Sequence, residues 1–211
     1  MLASPDAALP RMKPFALALL LATSASAQTA VPADSLLKRQ LALRVEADQA
    51  ARGLWSLAFD AGLQPPPADV ALVAAIDSLN TAWLEAVVAE RGWPGSSSVG
   101  VEGAHDAWLL AQHADRKPDF QREVLRLMET AVARGEADGS DLAYLTDRVR
   151  LAAGEPQVYG TQVSVSEDGE PSSINLEDPE NVDARRAAVG LMPLDEYLDY
   201  FRPGHGAHSG H

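Results

Sequence analysis

The chain has 211 residues, 46% of them hydrophobic, enough for one ordinary domain with a sizeable core and too apolar for wholesale disorder. A formal net charge of −13 repels phosphate backbones and anionic lipid, which disfavours nucleic-acid and membrane-surface partners. The absence of cysteine excludes disulfides, thiol chemistry, cysteine-ligated zinc, iron–sulfur clusters and an acylated-cysteine anchor.

From Met12 the sequence reads MKPFALALLLATSASAQ: Lys13, an apolar stretch Phe15–Ala22, then small residues ending in Ala25, Ser26 and Ala27. That is the layout of a secretory signal peptide cleaved after Ala27. The apolar stretch is shorter than the about 20 residues a bilayer span needs. Asp6 stands where a basic region belongs, which makes Met12 an alternative start. An uncleaved interfacial anchor is the other reading of the segment. The expectation is a signal peptide over 1–27 and an exported protein, periplasmic or extracellular, with no stable membrane insertion after cleavage. One mainly helical domain over 28–202 and a disordered Gly/His tail over 203–211 complete it.

DSLLKRQLALRVEADQAARGLWSLAFDAG carries apolar residues at helical spacing, with Asp34 or Ser35 able to cap its start. QPPPAD is a connector that cannot continue a helix. A second helix is predicted over about Ala68–Arg91, followed by a loop, RGWPGSSSVGVEG. A third, AHDAWLLAQHA, is apolar almost all round and therefore central. A fourth places Phe120, Val124, Met128 and Ala131 on one side, and a fifth, DLAYLTDRVRLAA, has Leu142, Thr146 and Val149 as its expected core face. QVYGTQVSVS alternates like a strand, turns at EDGEP and has a weak partner in SSINL. NVDARRAAVG and PLDEYLDYF read as short helices. The fold class is mainly α: about six or seven helices in a single domain, with a small β-hairpin near the C-terminal end.

Polar groups interrupt several of these apolar faces. Arg44 and Asp48 lie on one stripe with Leu37, Leu41, Ala51 and Trp55, and Asp48 is also four residues from Arg52. The pattern fits a solvated ion-pair ladder or a charge cluster inside the bundle. Asn80, one turn after Asp77, falls in the second helix's stripe and fits a structural hydrogen bond to a neighbour. Gln112, His113 and Asp115 interrupt WLLAQHAD, and Tyr144, Asp147 and Arg148 share a face in YLTDRV. The serine-rich loop before the third helix has backbone N–H groups suited to an anion but lacks the lysine of a P-loop. His113 and Asp115 diverge on a helix and there is no His-Glu-x-x-His pattern, so no metal site is expected. The tail histidines His205, His208 and His211, spaced by glycines, could hold a divalent ion only loosely.

Four ordered blocks, RGWPGSSSVGVEGAHDAWLLAQHAD, DFQREVLRLMETAVARGE, LAYLTDRVRLAAGEPQVYGTQ and EDPENVDARRAAVGLMPLDEYL, resemble a bacterial domain family of unknown function over about Arg91–Leu198. The resemblance implies no reaction, substrate or cofactor. It implies a pattern that includes Trp93, Trp108, Gln112, His113, Gln121, Tyr144 to Arg148, Gln157, Tyr159 to Gln162, Arg185 and Arg186. It places His105 on a variable position and the tail histidines outside the pattern.

So many polar residues inside a helical domain must each find a partner, which tilts the reading towards a polar pocket. In that pocket His113, Asp147 and Arg148 are the candidate catalytic residues. Gln112, Tyr144, Tyr159, Gln162 and Arg186 are the candidate ligand contacts. The expected function is binding of a polar or anionic small molecule or peptide. The alternative is an extracytoplasmic hydrolase or transferase with His113 as general acid–base, oriented by Asp147 or Asp115, and Arg148 stabilising negative charge. A network that only specifies packing is the third reading. Cofactor and oligomeric state are not legible.

Overall fold

A computed structural model describes residues 34–60, 63–166 and 168–202; the expected signal peptide and the histidine tail lie outside them. The described residues form seven α-helices: α1 Ser35–Asp60, α2 Pro67–Arg91, α3 Ser96–Gln112, α4 Pro118–Ala133, α5 Gly139–Ala152, α6 Val182–Ala188 and α7 Leu194–Asp199. Strands β1 Val163–Val165 and β2 Pro171–Ser173 make an antiparallel hairpin, with Val163 opposite Ser173 and Val165 opposite Pro171. The fold is mainly α with one hairpin near the C-terminus, as the periodicity predicts.

The helix ends follow from local chemistry. The Asp34 carboxylate accepts the backbone N–H of Leu37 at 2.8 Å and caps α1. Pro67 opens α2, where its missing N–H would have had no partner. Asp138 caps α5 by accepting from the N–H of Ser140.

α3 is central. Ala107, Trp108, Leu109, Leu110, Ala111 and Gln112 are all buried, because α3 packs against α1, α2, α4 and α5. Leu41, Leu84, Val99, Leu110, Val124, Met128 and Leu145 complete the core around it. Each such leucine contributes about 1.5–3 kcal/mol relative to exposure. On α4, Phe120, Val124, Met128 and Ala131 are the inward residues, on the face their spacing selects.

The structure differs from four local expectations. SSSVGVEG is not a loop: α3 begins at Ser96 and continues across a kink at Gly100, whose φ of +80° supplies the break. The N–H groups expected to suit an external anion already hold one, since the Ser97 N–H donates to the Glu136 carboxylate at 2.8 Å. QVYGTQ is not a strand but a loop folded against α5, with only Val163–Val165 in the ladder. Gly160 in that loop has φ +72°, and a Cβ there would lie 2.9 Å from the Ser173 hydroxyl. On α5 the expected Val149 is buried, but Leu142 and Thr146 are only half-buried and the other inward residues are Asp141, Ala143, Leu145 and Asp147. α5 is covered from two sides, by the helical core and by the 157–162 loop, so a single-stripe reading fails there.

Candidate functional site

The charged stripe of α1 turns into the bundle. Asp48 is 1% exposed, and its carboxylate accepts from Arg52 Nε at 3.2 Å and Gln49 Nε2 at 2.9 Å. His113, at the C-terminal end of α3, brings its Nδ1 to 3.1 Å from the same carboxylate. Arg52 reaches on to α2, where Nη2 donates to Asp77 at 2.5 Å. Asp48, Arg52, Asp77 and His113 therefore form one connected cluster where α1, α2 and α3 meet. For Asp48 and Arg52 the buried-cluster reading of the α1 stripe holds rather than the solvated ladder, whereas Arg44 does not pair with Asp48 and donates instead to Asn80.

An ionised carboxylate can only accept, so Nδ1 of His113 carries the proton and Nε2 is the ring's acceptor in the neutral imidazole. Burial opposes charge on Asp48, but His113 and Arg52 outweigh it and hold the carboxyl below its ordinary range. Asp77 goes the other way: burial raises it, and the neighbouring Asp48 charge adds to that against the pull of Arg52 and His113. His113 and Asp77 also line a cleft of about 120 Å³ between α2 and the turn into α4, with Ser78, Thr81, Glu85, Arg116 and Lys117 as its other polar walls. Lys117 pairs with Glu85 at 3.3 Å.

A ring nitrogen of His113 and one oxygen each from Asp48 and Asp77 lie within 4.8 Å of one another, a spread three metal ligands would show. Arg52 already bridges the two carboxylates and offsets one of their charges. A divalent cation there would share these carboxylates with Arg52.

The second polar network is a brace. Asp147 is fully buried, and its carboxylate accepts the backbone N–H groups of Val158 (2.7 Å), Tyr159 (3.1 Å) and Thr161 (2.9 Å) and the Thr161 hydroxyl (3.0 Å). Arg186, also fully buried, donates through Nη1 to the Tyr159 carbonyl and through Nε to the Met192 carbonyl. Its guanidinium lies 4.9 Å from the Tyr197 ring centre, and the Tyr197 hydroxyl donates to the Thr161 carbonyl. Burial, reinforced by Tyr144, pushes the Tyr197 hydroxyl far above the ordinary phenol range. These bonds pin the 157–162 loop, α6 and α7 onto α5.

The remaining candidates are distributed as follows. Arg148 pairs with Asp115 through Nη1 at 3.0 Å, and Gln121 Nε2 reaches both Asp115 and the Gln112 carbonyl. Gln112 is buried with its side-chain oxygen unpartnered. Tyr144 meets Trp108 and Tyr197 edge-on. Gln162 Nε2 donates to the Thr161 hydroxyl. Gln157, buried, donates to the carbonyls of Gln162 and Ile174. Asp48, not Asp147 or Asp115, is the carboxylate that holds His113. Of the eight candidate residues only His113 lines one of the three main clefts among the described residues.

Sequence reasoning passed over one pair. His105 Nδ1 lies 3.0 Å from the buried Asp141 carboxylate, on the wall of a cleft of about 580 Å³ between α3 and the α4–α5 connection. That hydrogen bond raises the imidazole above its ordinary value against the effect of burial, and burial raises Asp141. Nothing local in the sequence links two residues 36 apart on different helices.

Residues 35–208 match the model of a family of unknown function, DUF6624. No curated protein and no solved structure matches the chain.

Proposed function

The chain belongs to this family of unknown function, which supplies no activity to borrow, and we propose from the geometry that it binds a small polar ligand bearing an anionic group. The ligand sits in the cleft between α2 and the turn from α3 into α4. The observation that carries this reading is the His113 ring, which spans from the buried Asp48 carboxylate to the cleft wall. Asp48 fixes the tautomer, so the ring presents one defined face to whatever enters. Arg116, which pairs with no carboxylate among the described residues, provides a cationic contact for a carboxylate or phosphate, Lys117 is shared with Glu85, and Thr81 adds a hydroxyl. The cleft's size favours a compact group over a large apolar ligand, which needs about 300 Å³ or more.

A second reading rests on the same pair. A histidine oriented by a buried carboxylate is also the arrangement of a general base, and proton transfer to or from the bound ligand would make the site catalytic. In this version Asp48 takes the orienting role expected of Asp147 or Asp115, and Arg116 or Lys117 takes the charge-stabilising role expected of Arg148.

The test is calorimetric titration of the purified protein with inorganic phosphate, short carboxylates, amino acids and short peptides, repeated on His113→Gln and Arg116→Ala. The binding reading expects one class to bind saturably and at least tenfold more weakly to both variants. It fails if no class binds, or if both variants bind as wild type does. Turnover of the bound compound, lost in His113→Gln while its binding survives, selects the catalytic reading. Export is part of the proposal, supported by the layout of residues 12–27. Amino-terminal sequencing of protein recovered outside the cytoplasm should begin at Gln28.

A further inference from the structure

A different feature lies on the other side of α2. Leu43, Ala47, Ile76 and Leu79 wall a groove of about 370 Å³ between α1 and α2, with Arg44 and Asn80 among its lining. Leu43 is 55% exposed and Leu79 68%, so the walls stay open to solvent. The polar groups are incompletely satisfied. Arg44 is half-buried, packs 4.3 Å from the centre of the Trp83 ring and donates through Nη1 to the Asn80 side-chain oxygen at 3.0 Å. Among the described residues no carboxylate pairs with it, although the chain carries a net charge of −13. Asn80 is 5% exposed, and its amide nitrogen has no hydrogen-bond partner. A buried amide donor without an acceptor costs about 1–3 kcal/mol.

We propose that the groove between α1 and α2 binds an amphipathic carboxylate, its anionic head on Arg44 and Asn80 and its apolar body along Leu43, Ile76 and Leu79. A carboxylate supplies what both polar groups lack: a negative charge for the guanidinium and an acceptor for the amide. Charge complementarity chooses this occupant. A neutral hydrocarbon or a second apolar helix face would cover the leucines but bury Arg44 without a counter-charge, which is costly. Desolvation already lowers the Arg44 pKa, the mark of a cation whose water has been removed without replacement by an anion. The cleft at His113 plays no part, so the two sites stand or fall separately.

Trp83, against Arg44, is a built-in reporter. Tryptophan fluorescence is followed while the purified protein is titrated with decanoate below its micelle concentration, with decanol (the same body, no charge) and with acetate (the same head, no body). The expected result is saturable binding of decanoate at least tenfold tighter than decanol, with acetate weaker still. Arg44→Met should remove that preference, Leu79→Asp should weaken decanoate at least tenfold, and His113→Gln should leave it unchanged. Equal binding of decanoate and decanol to wild type overturns the proposal, as does unaltered decanoate binding in Leu79→Asp. If decanoate does not bind and Leu79→Asp instead dissociates a dimer or abolishes binding to lipid vesicles, the occupant is a second copy or a membrane and the proposal is wrong. Leu79 is exposed, so its variant remains informative even if Arg44→Met does not fold.

Discussion

Asp48 and His113 are 65 residues apart in sequence, and the 3.1 Å contact between them joins the first helix to the end of the central one. The Asp48 carboxylate also serves Arg52, so its removal leaves the His113 Nδ1–H without its acceptor and Arg52 with Asp77 alone. Asp48→Ala removes the buried acceptor shared by His113, Arg52 and Gln49 and is expected to cost at least about 3 kcal/mol, more than a single hydrogen bond to a charged group is worth. His113→Gln, which leaves Arg52 in place, should cost only about 1–3 kcal/mol. Urea unfolding of the two variants checks the ordering, and a costlier His113 change would contradict the geometry. The Asp48 pKa is lowered on folding, so its contribution is present above the unfolded value of about 3.9 and lost as pH falls through the folded value. Wild type should therefore lose more stability on acidification than Asp48→Ala does.

Asp147 gathers three backbone N–H groups and a hydroxyl, which makes it the organiser of the 157–162 loop. In Asp147→Asn one oxygen becomes an amide donor that faces those N–H groups. The expected loss is about 1.5–3 kcal/mol, the worth of a hydrogen bond to a charged group. It should be local: amide exchange should quicken at Val158, Tyr159 and Thr161 while the amides of α3 stay protected. Uniform acceleration over both regions would show that the loop and the helical core unfold as one unit.

Arg186 donates to two carbonyls in fixed directions and stacks over Tyr197, a task for a planar fork. A lysine carries its charge at one point and cannot serve the Met192 and Tyr159 carbonyls with that geometry. Arg186→Lys should cost about 1.5–3 kcal/mol in denaturant unfolding despite keeping the charge. A near-neutral result would mean that charge alone, not the fork, holds α6 and α7 in place.

How far the sequence discloses these sites depends on whether the partner is local. α4 is legible because one face is apolar and the other charged, so burial follows the 3.6-residue period. The α1 stripe reveals that Asp48 faces the same way as Leu41. It does not reveal what packs there, and ladder and cluster share one spacing. SSSVGVEG has the composition of a loop, and its helical turn is stabilised by Glu136, about 40 residues on. The 157–162 segment alternates like a strand, but its N–H groups find a carboxylate before they find a neighbouring strand. His113 was legible as a polar intrusion into an apolar helix. Asp48 as its partner was not, because tertiary packing alone joins them.

The pair His105 and Asp141 gives a signature in the opposite pH direction. The hydrogen bond to Asp141 raises the imidazole pKa on folding against the effect of burial, with Asp106 and Asp138 adding to the rise. A histidine raised in this way contributes stability that is fully present below its unfolded pKa of about 6.5 and is lost as pH climbs through the folded value. Wild-type Tm should therefore fall between about pH 6 and pH 8 by more than the Tm of His105→Gln, and the two curves should converge at the alkaline end. The ring is half-exposed, so solvent screens the pair and added salt should shrink the difference. Asp141 is buried and supplies the largest part of the rise, so Asp141→Asn should remove most of the slope, leaving only what Asp106 and Asp138 contribute, whereas His105→Gln removes all of it. Parallel curves for wild type and His105→Gln would mean that the imidazole gains nothing from Asp141 on folding.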